Sequence, residues 1–330
     1  RPEDRALVEA AGFEFVAIDA GKLRRYFSLQ TLLEPFRIWS GFRQAQKVIR
    51  RFKPDVVFAK GGYVSMPVVW AAKRKGIPIV LHESDTVPGL ANRRAAKAAS
   101  SVAVAFPPET LEGLPPQKLV HTGNPLRDGV IKGKADRARK RFKLSPHYPV
   151  LLVLGGSQGS VALNDLVWEA LPTLLADVQV VHQVGERNAK AVRNRIAQLP
   201  GDIAGRYHPR GFIGEELFDL YAASDLIVSR AGANILAEIA AVGKPSILVP
   251  LPTAAADHQR RNAEVFAARN AAVVLEEGTL TAEELNGAVK RLVRNQQRLA
   301  EMGRNARTLA HFDATRAVAD LVWQTGSHRG

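Results

Sequence analysis

The sequence predicts an α/β protein with parallel sheets that carry helices on both faces. Several short runs rich in Val, Ile and Leu are continuous rather than alternating, which is typical of strands buried on both sides. Helical patterns separate these runs, and this alternation indicates a doubly wound architecture. The length of 330 residues suits two such domains.

The predicted strands form two sets on either side of a charged segment, 124–147, that is poor in long apolar runs. This segment predicts a boundary, with an N-terminal domain over 1–127 and a C-terminal domain over 128–311. We expect a final helix within 312–330 to return to the first domain. The predicted strands are 55–60, 78–83, 101–106, 149–154, 178–183, 225–230, 245–250 and 271–276.

The composition favours an anionic partner. The chain has 46 Lys and Arg against 32 Asp and Glu, a formal net charge of +14. Such a charge attracts nucleic acid, phosphorylated substrates or an acidic membrane face. The sequence shows no zinc-ligand spacing, RNA-binding aromatic motif or recognition helix, so we expect no nucleic acid partner. It has no Cys, which excludes thiolate chemistry, and no apolar run long enough to predict a transmembrane helix.

A glycine-rich turn, GGSQGS at 155–160, joins a predicted strand to a predicted helix. Glycines let a backbone approach a ligand closely, and the N-terminus of the following helix offers N–H groups and the positive end of its dipole. Both properties suit a phosphate, and Ser157 adds a hydroxyl. The turn matches neither the Walker nor the GxGxxG pattern, so a tight connection without a ligand stays open.

A second turn of this kind, SRAGAN at 229–234, also leads from a strand into a helix. Glu238 lies on the first turns of that helix, where a carboxylate can accept hydrogen bonds from two vicinal hydroxyls such as those of a ribose. A surface Glu favoured by the helix dipole is the alternative. Two phosphate-suited turns with a ribose-suited carboxylate indicate a nucleotide diphosphate at the strand ends.

Two further polar clusters follow strands. DHQRRN at 257–262 opens a helix and suits recognition of sugar hydroxyls, although Asp257 as a plain helix cap is equally compatible. His82 and Glu83 end a strand, where neighbours point to opposite faces, so they make a poor acid–base pair. A structural His beneath a loop is the alternative there.

In this order, the motifs resemble those of the MurG family of bacterial glycosyltransferases, over about residues 10–320. The matching stretches are PDVVFAKGGYVSMPVVWAAKRKGIPIVLHESDTVPGLANR (54–93), GNPLR (123–127), LGGSQGSVALN (154–164), SRAGANILAEIAAVGKPSILVPLP (229–252) and DHQRRNA (257–263). The resemblance implies a GT-B fold, with two Rossmann-like domains and a cleft between them. It also implies transfer of N-acetylglucosamine from its UDP donor (UDP-GlcNAc) to lipid I, which makes lipid II. We expect no cofactor and no metal site.

The resemblance also implies site residues, position by position. It places diphosphate contacts at Arg127 and Ser157, a uracil contact at the backbone of Ile213, and a sugar contact at Gln259. The helix start that holds phosphate and ribose comprises Ala233, Asn234, Ile235, Leu236, Ala237 and Glu238, with Glu238 on the ribose hydroxyls.

Two features depart from the family pattern. Members open with a strand and a GGTGGH loop whose His is the favoured catalytic base, but no such stretch occurs here and residue 1 is not Met. We therefore expect the sequence to lack that strand and loop, and we assign no catalytic residue. In HESD, Asp85 replaces the Asn of the common HEQN form, and a carboxylate there accepts but cannot donate. His82 of the same motif is a second candidate contact.

Residues 22–53 predict a membrane-binding helix. They include nine Lys or Arg and one acidic residue, and an apolar stripe recurs at helical spacing, formed by Leu32, Phe36, Trp39 and Phe42. Such a stripe flanked by cations suits the surface of an anionic membrane. The family resemblance implies that this surface is the cytoplasmic face of the bacterial cell membrane. The alternative is a stripe packed into the domain core.

The predicted function is therefore an inverting glycosyltransferase of peptidoglycan synthesis, acting on UDP-GlcNAc and lipid I at the membrane. Two rivals stay open at this point. One is another GT-B enzyme, such as a glycolipid glycosyltransferase or a UDP-GlcNAc epimerase. The other is an inactive chain that binds UDP-sugar and membrane without turnover.

Overall fold

Two parallel sheets organise the chain, in a computed structural model that describes residues 2–21, 29–156, 159–196 and 198–327. Each sheet belongs to its own unit. The first unit comprises 1–83, 88–121 and 316–330, and the second comprises 84–87 and 122–315. The continuous part of the second unit begins at residue 122, six residues before residue 128, where the sequence predicts that the C-terminal domain starts. Residues 316–330 group with the first unit.

The first unit has a sheet of four strands, β1 (Val57–Ala59), β2 (Ile79–Glu83), β3 (Ser101–Val104) and β4 (Leu119–His121). Their order in the sheet is β1-β2-β3-β4, with every pairing parallel. All five residues of β2 are buried, as a strand covered on both faces requires. The helices are α1 (Pro2–Ala10), α2 (Leu29–Phe52), α3 (Met66–Arg74), α4 (Leu90–Ala98) and α14 (Ala314–Ser327), the last beginning in the second unit.

Helix α2 packs on α3, and Ala45 and Ile49 of α2 are buried. The predicted apolar stripe lies on other positions of the same helix. Phe36 is 72% exposed and Trp39 is 59% exposed, whereas Phe42 is half-buried. Phe36 and Trp39 therefore do not pack into a core in this structure. Leu32 lies in α2, but its side chain falls outside the described side chains.

The second unit has a six-stranded parallel sheet, whose strands are β5 (Val150–Leu154), β6 (Gln179–Gln183), β7 (Tyr207–Arg210), β8 (Leu226–Ser229), β9 (Ser246–Leu248) and β10 (Ala272–Val274). The helices are α5 (Ala135–Phe142), α6 (Val161–Asp177), α7 (Glu186–Ile196), α8 (Gly201–Ala204), α9 (Glu216–Ala223), α10 (Ala233–Val242), α11 (His258–Ala268), α12 (Ala282–Val293) and α13 (Gln296–Arg307). The order of the strands in the sheet is β10-β9-β8-β5-β6-β7. The core is an aliphatic cluster that includes residues of β5, β6, β8, α6 and α12.

The strand order of the second sheet reverses between β5 and β8. From β5 the chain proceeds outward to β6 and β7, and from β8 it proceeds the other way to β9 and β10. The last residues of the two central strands, Leu154 and Ser229, are register partners. The two glycine turns that follow these strands therefore start side by side. In open parallel sheets, such a switch point forms a crevice where ligands bind.

All eight predicted strands are present, each within its predicted range. Two strands were not predicted, β4 (LVH) and β7 (YHPR). Both are edge strands. β4 has only three residues, and β7 contains Pro209, which an edge strand tolerates. No helix within the described ranges is long and apolar enough to cross a bilayer.

Candidate functional site

A cavity of about 700 Å³ lies at the carboxyl edge of the six-stranded sheet, at the switch point between β5 and β8. It lies within the second unit, since every residue that lines it belongs there. Both glycine turns contribute to its wall, together with the segment after β9. The lining residues are Ser84, Asp85, Leu154, Gly155, Gly156, Gly159, Ser160, Val161, Ala162, Arg230, Gly232, Ala233, Asn234, Ile235, Leu251, His258, Gln259 and Glu277.

The first glycine turn needs glycine for two distinct reasons. Gly156 has φ 87° and Gly159 has φ 72°, which lie in the region that favours glycine. A Cβ on Gly159 would also lie 2.1 Å from the carbonyl oxygen of Val184, so no side chain fits there. The turn leads into α6, whose N-cap Ser160 accepts a hydrogen bond from Leu163 N at 3.3 Å. Ser157, predicted to contact the diphosphate, lies outside the described residues.

The second turn ends at the N-terminus of α10. Its N-cap is Gly232, which has no side chain to accept from the first backbone N–H groups of the helix. Ala233, Asn234 and Ile235 line the cavity, so this end of the helix faces it. Leu236 and Ala237, on the same turn, do not line it. The amino ends of α6 and α10 thus direct two positive dipole ends at one cavity, an arrangement that suits an anion such as a diphosphate.

Arg230 lines the cavity and connects several of the segments that form its wall. Its guanidinium is buried and pairs with Glu277, and it donates to Ser160 Oγ at 2.5 Å. It also donates to the carbonyl oxygens of Val249 at 3.1 Å and Pro250 at 3.3 Å. One side chain therefore connects the ends of β8 and β9, the cap of α6 and the segment after β10.

Glu238 is buried on α10 and makes a bidentate ion pair with Arg127. Arg127 Nε lies 2.6 Å from Glu238 Oε1, and Nη2 lies 2.8 Å from Oε2. The buried Tyr221 donates to Oε2 at 2.7 Å. The hydrogen bond to Glu238 raises the pKa of Arg127, and burial raises the pKa of Tyr221 well above its usual value. The structure thus brings together the two residues predicted for diphosphate and ribose, but neither lines the cavity.

Of the two residues predicted near the donor sugar, Asp85 contacts the side chain of Asn262, whereas Gln259 contacts Leu251. The buried Asn262 side chain accepts from Thr86 N and Oγ1, both at 2.9 Å, and donates to Asp85 Oδ1 at 2.9 Å. Gln259 lines the cavity, and its Oε1 accepts from Leu251 N at 3.1 Å. Asp257 does not cap α11 with its side chain, because it has φ 56° and pairs with Arg260 instead.

Other predicted residues lie outside the cavity wall. The N–H of the buried Ile213 donates to Gln183 Oε1 at 3.0 Å. His82 and Glu83 are both buried in β2 and have different partners, as their alternation on a strand requires. Lys60 Nζ lies 2.8 Å from His82 Nδ1, and Asn92 Nδ2 donates to Glu83 Oε2 at 2.7 Å.

Sequence reasoning missed Tyr221, Glu277 and the bracing contacts of Arg230. Arg230 lies in the SRAGAN turn, so its position near the site could have been read from the motif. Tyr221 and Glu277 carry no such signal, since a Tyr in a helix and a Glu after a strand are ordinary in their local context. Their contacts to Glu238 and Arg230 depend on the tertiary fold.

The class of protein is defined by two family models, both of glycosyltransferases. Residues 150–321 match the model of the glycosyltransferase family 28 C-terminal domain, and residues 3–104 match that of the family 28 N-terminal domain. The chain belongs to glycosyltransferase family 28. The GT-B fold predicted from the sequence and the assignment as a glycosyltransferase are confirmed.

Individual relatives show which members of this family the chain is similar to. A protein of Lachnoclostridium phytofermentans is 40% identical over 304 residues, covering 92% of this chain and 83% of its own. One of Geobacillus thermodenitrificans is 40% identical over 288 residues, covering 87% and 78%. Both are named UDP-N-acetylglucosamine–N-acetylmuramyl-(pentapeptide) pyrophosphoryl-undecaprenol N-acetylglucosamine transferase. The crystal structure of Acinetobacter baumannii MurG matches with a TM-score of 0.75 and 31% identity, over 97% of this chain and 87% of that one. The predicted resemblance to MurG is therefore confirmed.

Proposed function

We propose that this chain transfers N-acetylglucosamine from UDP-GlcNAc to the C4 hydroxyl of the muramyl sugar of lipid I. The product would be lipid II, the membrane-linked precursor of peptidoglycan. The names of the relatives support the donor and the acceptor. The observation that carries the proposal is structural: two helix N-termini face one cavity at the switch point of a parallel sheet.

In this proposal the donor's diphosphate binds at the amino ends of α6 and α10, with Arg127 and Ser157 as further contacts. Glu238 accepts from the ribose hydroxyls, and Gln259 and Asp85 face the sugar. The N–H of Ile213 is donated to Gln183, so the uracil contact uses the carbonyl oxygen of Ile213, which accepts from uracil N3–H. The helix start from Ala233 to Glu238 supplies the phosphate and ribose contacts.

The chemistry is a displacement at the anomeric carbon with inversion. The acceptor hydroxyl attacks, its proton passes to a general base, and UDP departs with the electron pair of the cleaved glycosidic bond. Negative charge grows on the departing diphosphate. The N–H groups at the two helix ends are fixed before the donor binds, so they stabilise this charge without reorganisation, and the Arg127 guanidinium adds a cation once it contacts the bound diphosphate.

Turnover with radiolabelled UDP-GlcNAc and a lipid I analogue tests the proposal. We expect label to enter the lipid fraction as a β-1,4-linked disaccharide and UDP to be released in equal amount. Conversion of UDP-GlcNAc to its 2-epimer without an acceptor would contradict the transferase assignment. So would transfer to a glycolipid acceptor with lipid I left unused.

Calorimetry with UDP tests the nucleotide site separately. Glu238→Ala removes the proposed ribose acceptor, and we expect it to weaken UDP binding by about tenfold or more, as loss of hydrogen bonds to a charged group does. Glu283→Ala, an exposed Glu on α12 of the same unit, is the matched control and should bind as the unaltered protein does. Unchanged affinity in Glu238→Ala would remove that residue from the site.

We further propose that α2 binds the anionic cytoplasmic face of the cell membrane, where the lipid acceptor resides. Phe36 and Trp39 are exposed, and the Arg43 guanidinium lies 4.7 Å from the centre of the Trp39 ring. Arg37 is also exposed on this helix. Exposed aromatic residues beside cations are what an interfacial helix presents to anionic lipid, and such binding is peripheral.

Vesicle sedimentation tests this surface. We expect binding to vesicles of anionic lipid to weaken with added salt and with the double change Phe36→Ala plus Trp39→Ala. Phe212→Ala, which removes an exposed aromatic residue from the second unit, is the control. If neither added salt nor the double change reduces the fraction of protein bound to vesicles, Phe36 and Trp39 are not the lipid contact.

A further inference from the structure

Helix α9 carries two aromatic residues on one face, and each contacts one member of the Arg127–Glu238 pair. Phe218 lies under the Arg127 guanidinium, 4.9 Å from its ring centre to the guanidinium carbon. Tyr221, one turn later, is fully buried and donates its hydroxyl to Glu238 Oε2 at 2.7 Å. Residues three apart on a helix lie on the same side, so α9 orients both site residues.

In this structure, hydrogen-bond donors already occupy most of the lone-pair sites of the Glu238 carboxylate. A carboxylate has about four lone-pair sites, two on each oxygen. Arg127 Nε occupies one site on Oε1, while Arg127 Nη2 and the Tyr221 hydroxyl occupy both on Oε2. A ribose diol brings two donors, but only one site is left. One of the two residues that now donate to Glu238, Arg127 or Tyr221, must therefore leave the carboxylate when the nucleotide binds.

Exposure decides which partner withdraws. The side chain of Arg127 is 48% exposed and projects from a connecting segment, whereas the side chain of Glu238 is 9% exposed. Tyr221, on α9, is fully buried, so moving its side chain would disrupt the packing around it. Arg127 also gains a new partner, because the diphosphate of the donor can take its guanidinium. The exchange leaves Glu238 held by Tyr221.

We propose that Tyr221 is a positioning residue that holds Glu238 against the donor ribose while Arg127 passes from the carboxylate to the diphosphate. This proposal rests on the proposed function, since it takes a nucleotide diphosphate as the ligand. A buried carboxylate that loses its cation needs its remaining hydrogen bonds. Burial raises the pKa of the Tyr221 hydroxyl, which therefore stays a hydrogen-bond donor at physiological pH.

The test compares two ligands, UDP and 2′,3′-dideoxy-UDP, which lacks both ribose hydroxyls. Dissociation constants are measured by calorimetry on the full chain and on Tyr221→Phe, which removes only the hydroxyl. We expect Tyr221→Phe to weaken UDP binding about tenfold and to leave dideoxy-UDP binding unchanged. A ligand without ribose hydroxyls does not compete for Glu238, so Arg127 stays on the carboxylate and the Tyr221 hydroxyl is not needed to hold it. With UDP-GlcNAc as substrate, we expect KM to rise by a similar factor while kcat changes less than twofold.

Tyr207→Phe is the matched control. Tyr207 is also buried in the second unit, and its hydroxyl pairs with His182 rather than with the site. We expect its removal to leave both dissociation constants unchanged even where it lowers the unfolding temperature. This separates loss of a buried hydroxyl in general from loss at Glu238.

Two results would overturn the positioning role alone. One is an equal weakening of UDP and dideoxy-UDP in Tyr221→Phe, which would indicate a structural effect. The other is unchanged UDP binding in that variant while Glu238→Ala binds poorly. By contrast, absence of UDP binding by the unaltered protein would overturn the proposed function, and this proposal with it.

Discussion

Acid should destabilise the second unit through His182. This side chain is buried on β6, its Nδ1 lies 3.1 Å from the Tyr207 hydroxyl, and its Nε2 has no hydrogen-bond partner among the described residues. Burial lowers the pKa of His182 from 6.5 to about 3. The folded state therefore binds this proton much more weakly than the unfolded state does.

The sign and size of the effect follow from this difference. Between about pH 6.5 and pH 3 the unfolded state holds the proton and the folded state does not, so the free energy of unfolding falls as the pH falls. Above pH 6.5 both states are neutral at this site and the stabilisation is complete. Between pH 7.5 and pH 5 the loss amounts to about 2 kcal/mol, at about 1.4 kcal/mol for each pH unit below 6.5.

Urea unfolding of the full chain and of His182→Gln at the two pH values measures this loss. Trp168 packs edge-on against Tyr207, with ring centres 6.4 Å apart, so its fluorescence reports on this part of the unit. We expect the stability of His182→Gln to fall by about 2 kcal/mol less than that of the unaltered protein between pH 7.5 and pH 5. His208, whose pKa burial lowers to about 4, contributes equally to both proteins and cancels.

The exposed His147 provides the control, since His147→Gln should keep the full pH dependence. Equal losses of stability in His182→Gln and the unaltered protein would refute the reasoning. They would mean that His182 takes up its proton in the folded state as readily as in the unfolded one.

Two further predictions concern the wall of the cavity. Gly159→Ala should destabilise the protein by more than about 1 kcal/mol and weaken UDP binding, because its Cβ would lie 2.1 Å from Val184 O at a φ of 72°. Gly205→Ala, which meets nothing within 4 Å, should change neither thermal unfolding nor UDP affinity, and equal behaviour of the two variants would contradict the account. Arg230→Met should destabilise by about 3–5 kcal/mol, since it leaves Glu277 without its cation, and Arg230→Met plus Glu277→Leu should recover part of that loss in urea unfolding. A double variant no more stable than Arg230→Met would show that the carboxylate is not the source of the cost.

Most of the fold could be predicted because buried parallel strands are continuous apolar runs. Strands such as PVLLVL and PSILVP have this signature, and the structure has strands within both. The edge strand β7 has no such signature, because YHPR pairs on one side only and needs little apolar surface. The order of the strands in the sheet likewise cannot be predicted from any single segment, because it depends on pairing between distant segments.

The local parts of the candidate site could be predicted, but their tertiary partners could not. A glycine turn before a helix is visible in GGSQGS and SRAGAN, and both turns line the cavity. The pairing of Arg127 with Glu238 joins residues 111 positions apart, and that of Asn262 with Thr86 joins residues 176 apart. Nothing in the local pattern specifies such pairs.

The helical periodicity likewise could not decide whether Phe36 and Trp39 are buried in the core or exposed. A core stripe and an interfacial stripe have the same helical spacing, so the sequence did not separate them. In the structure the helix buries Ala45 and Ile49, and the two aromatic residues are exposed. The exposure is a property of packing, and lipid contact by these residues stays a prediction for the vesicle experiment.

The most direct test of the account is a crystal structure of the protein with UDP. We predict that the diphosphate lies between the amino ends of α6 and α10, within hydrogen-bond distance of Ala233 N or Asn234 N, with the ribose hydroxyls on Glu238. Arg127 should have moved from the carboxylate to a phosphate oxygen. UDP bound away from both helix ends, or in the cavity with its ribose far from Glu238, would contradict the central claim.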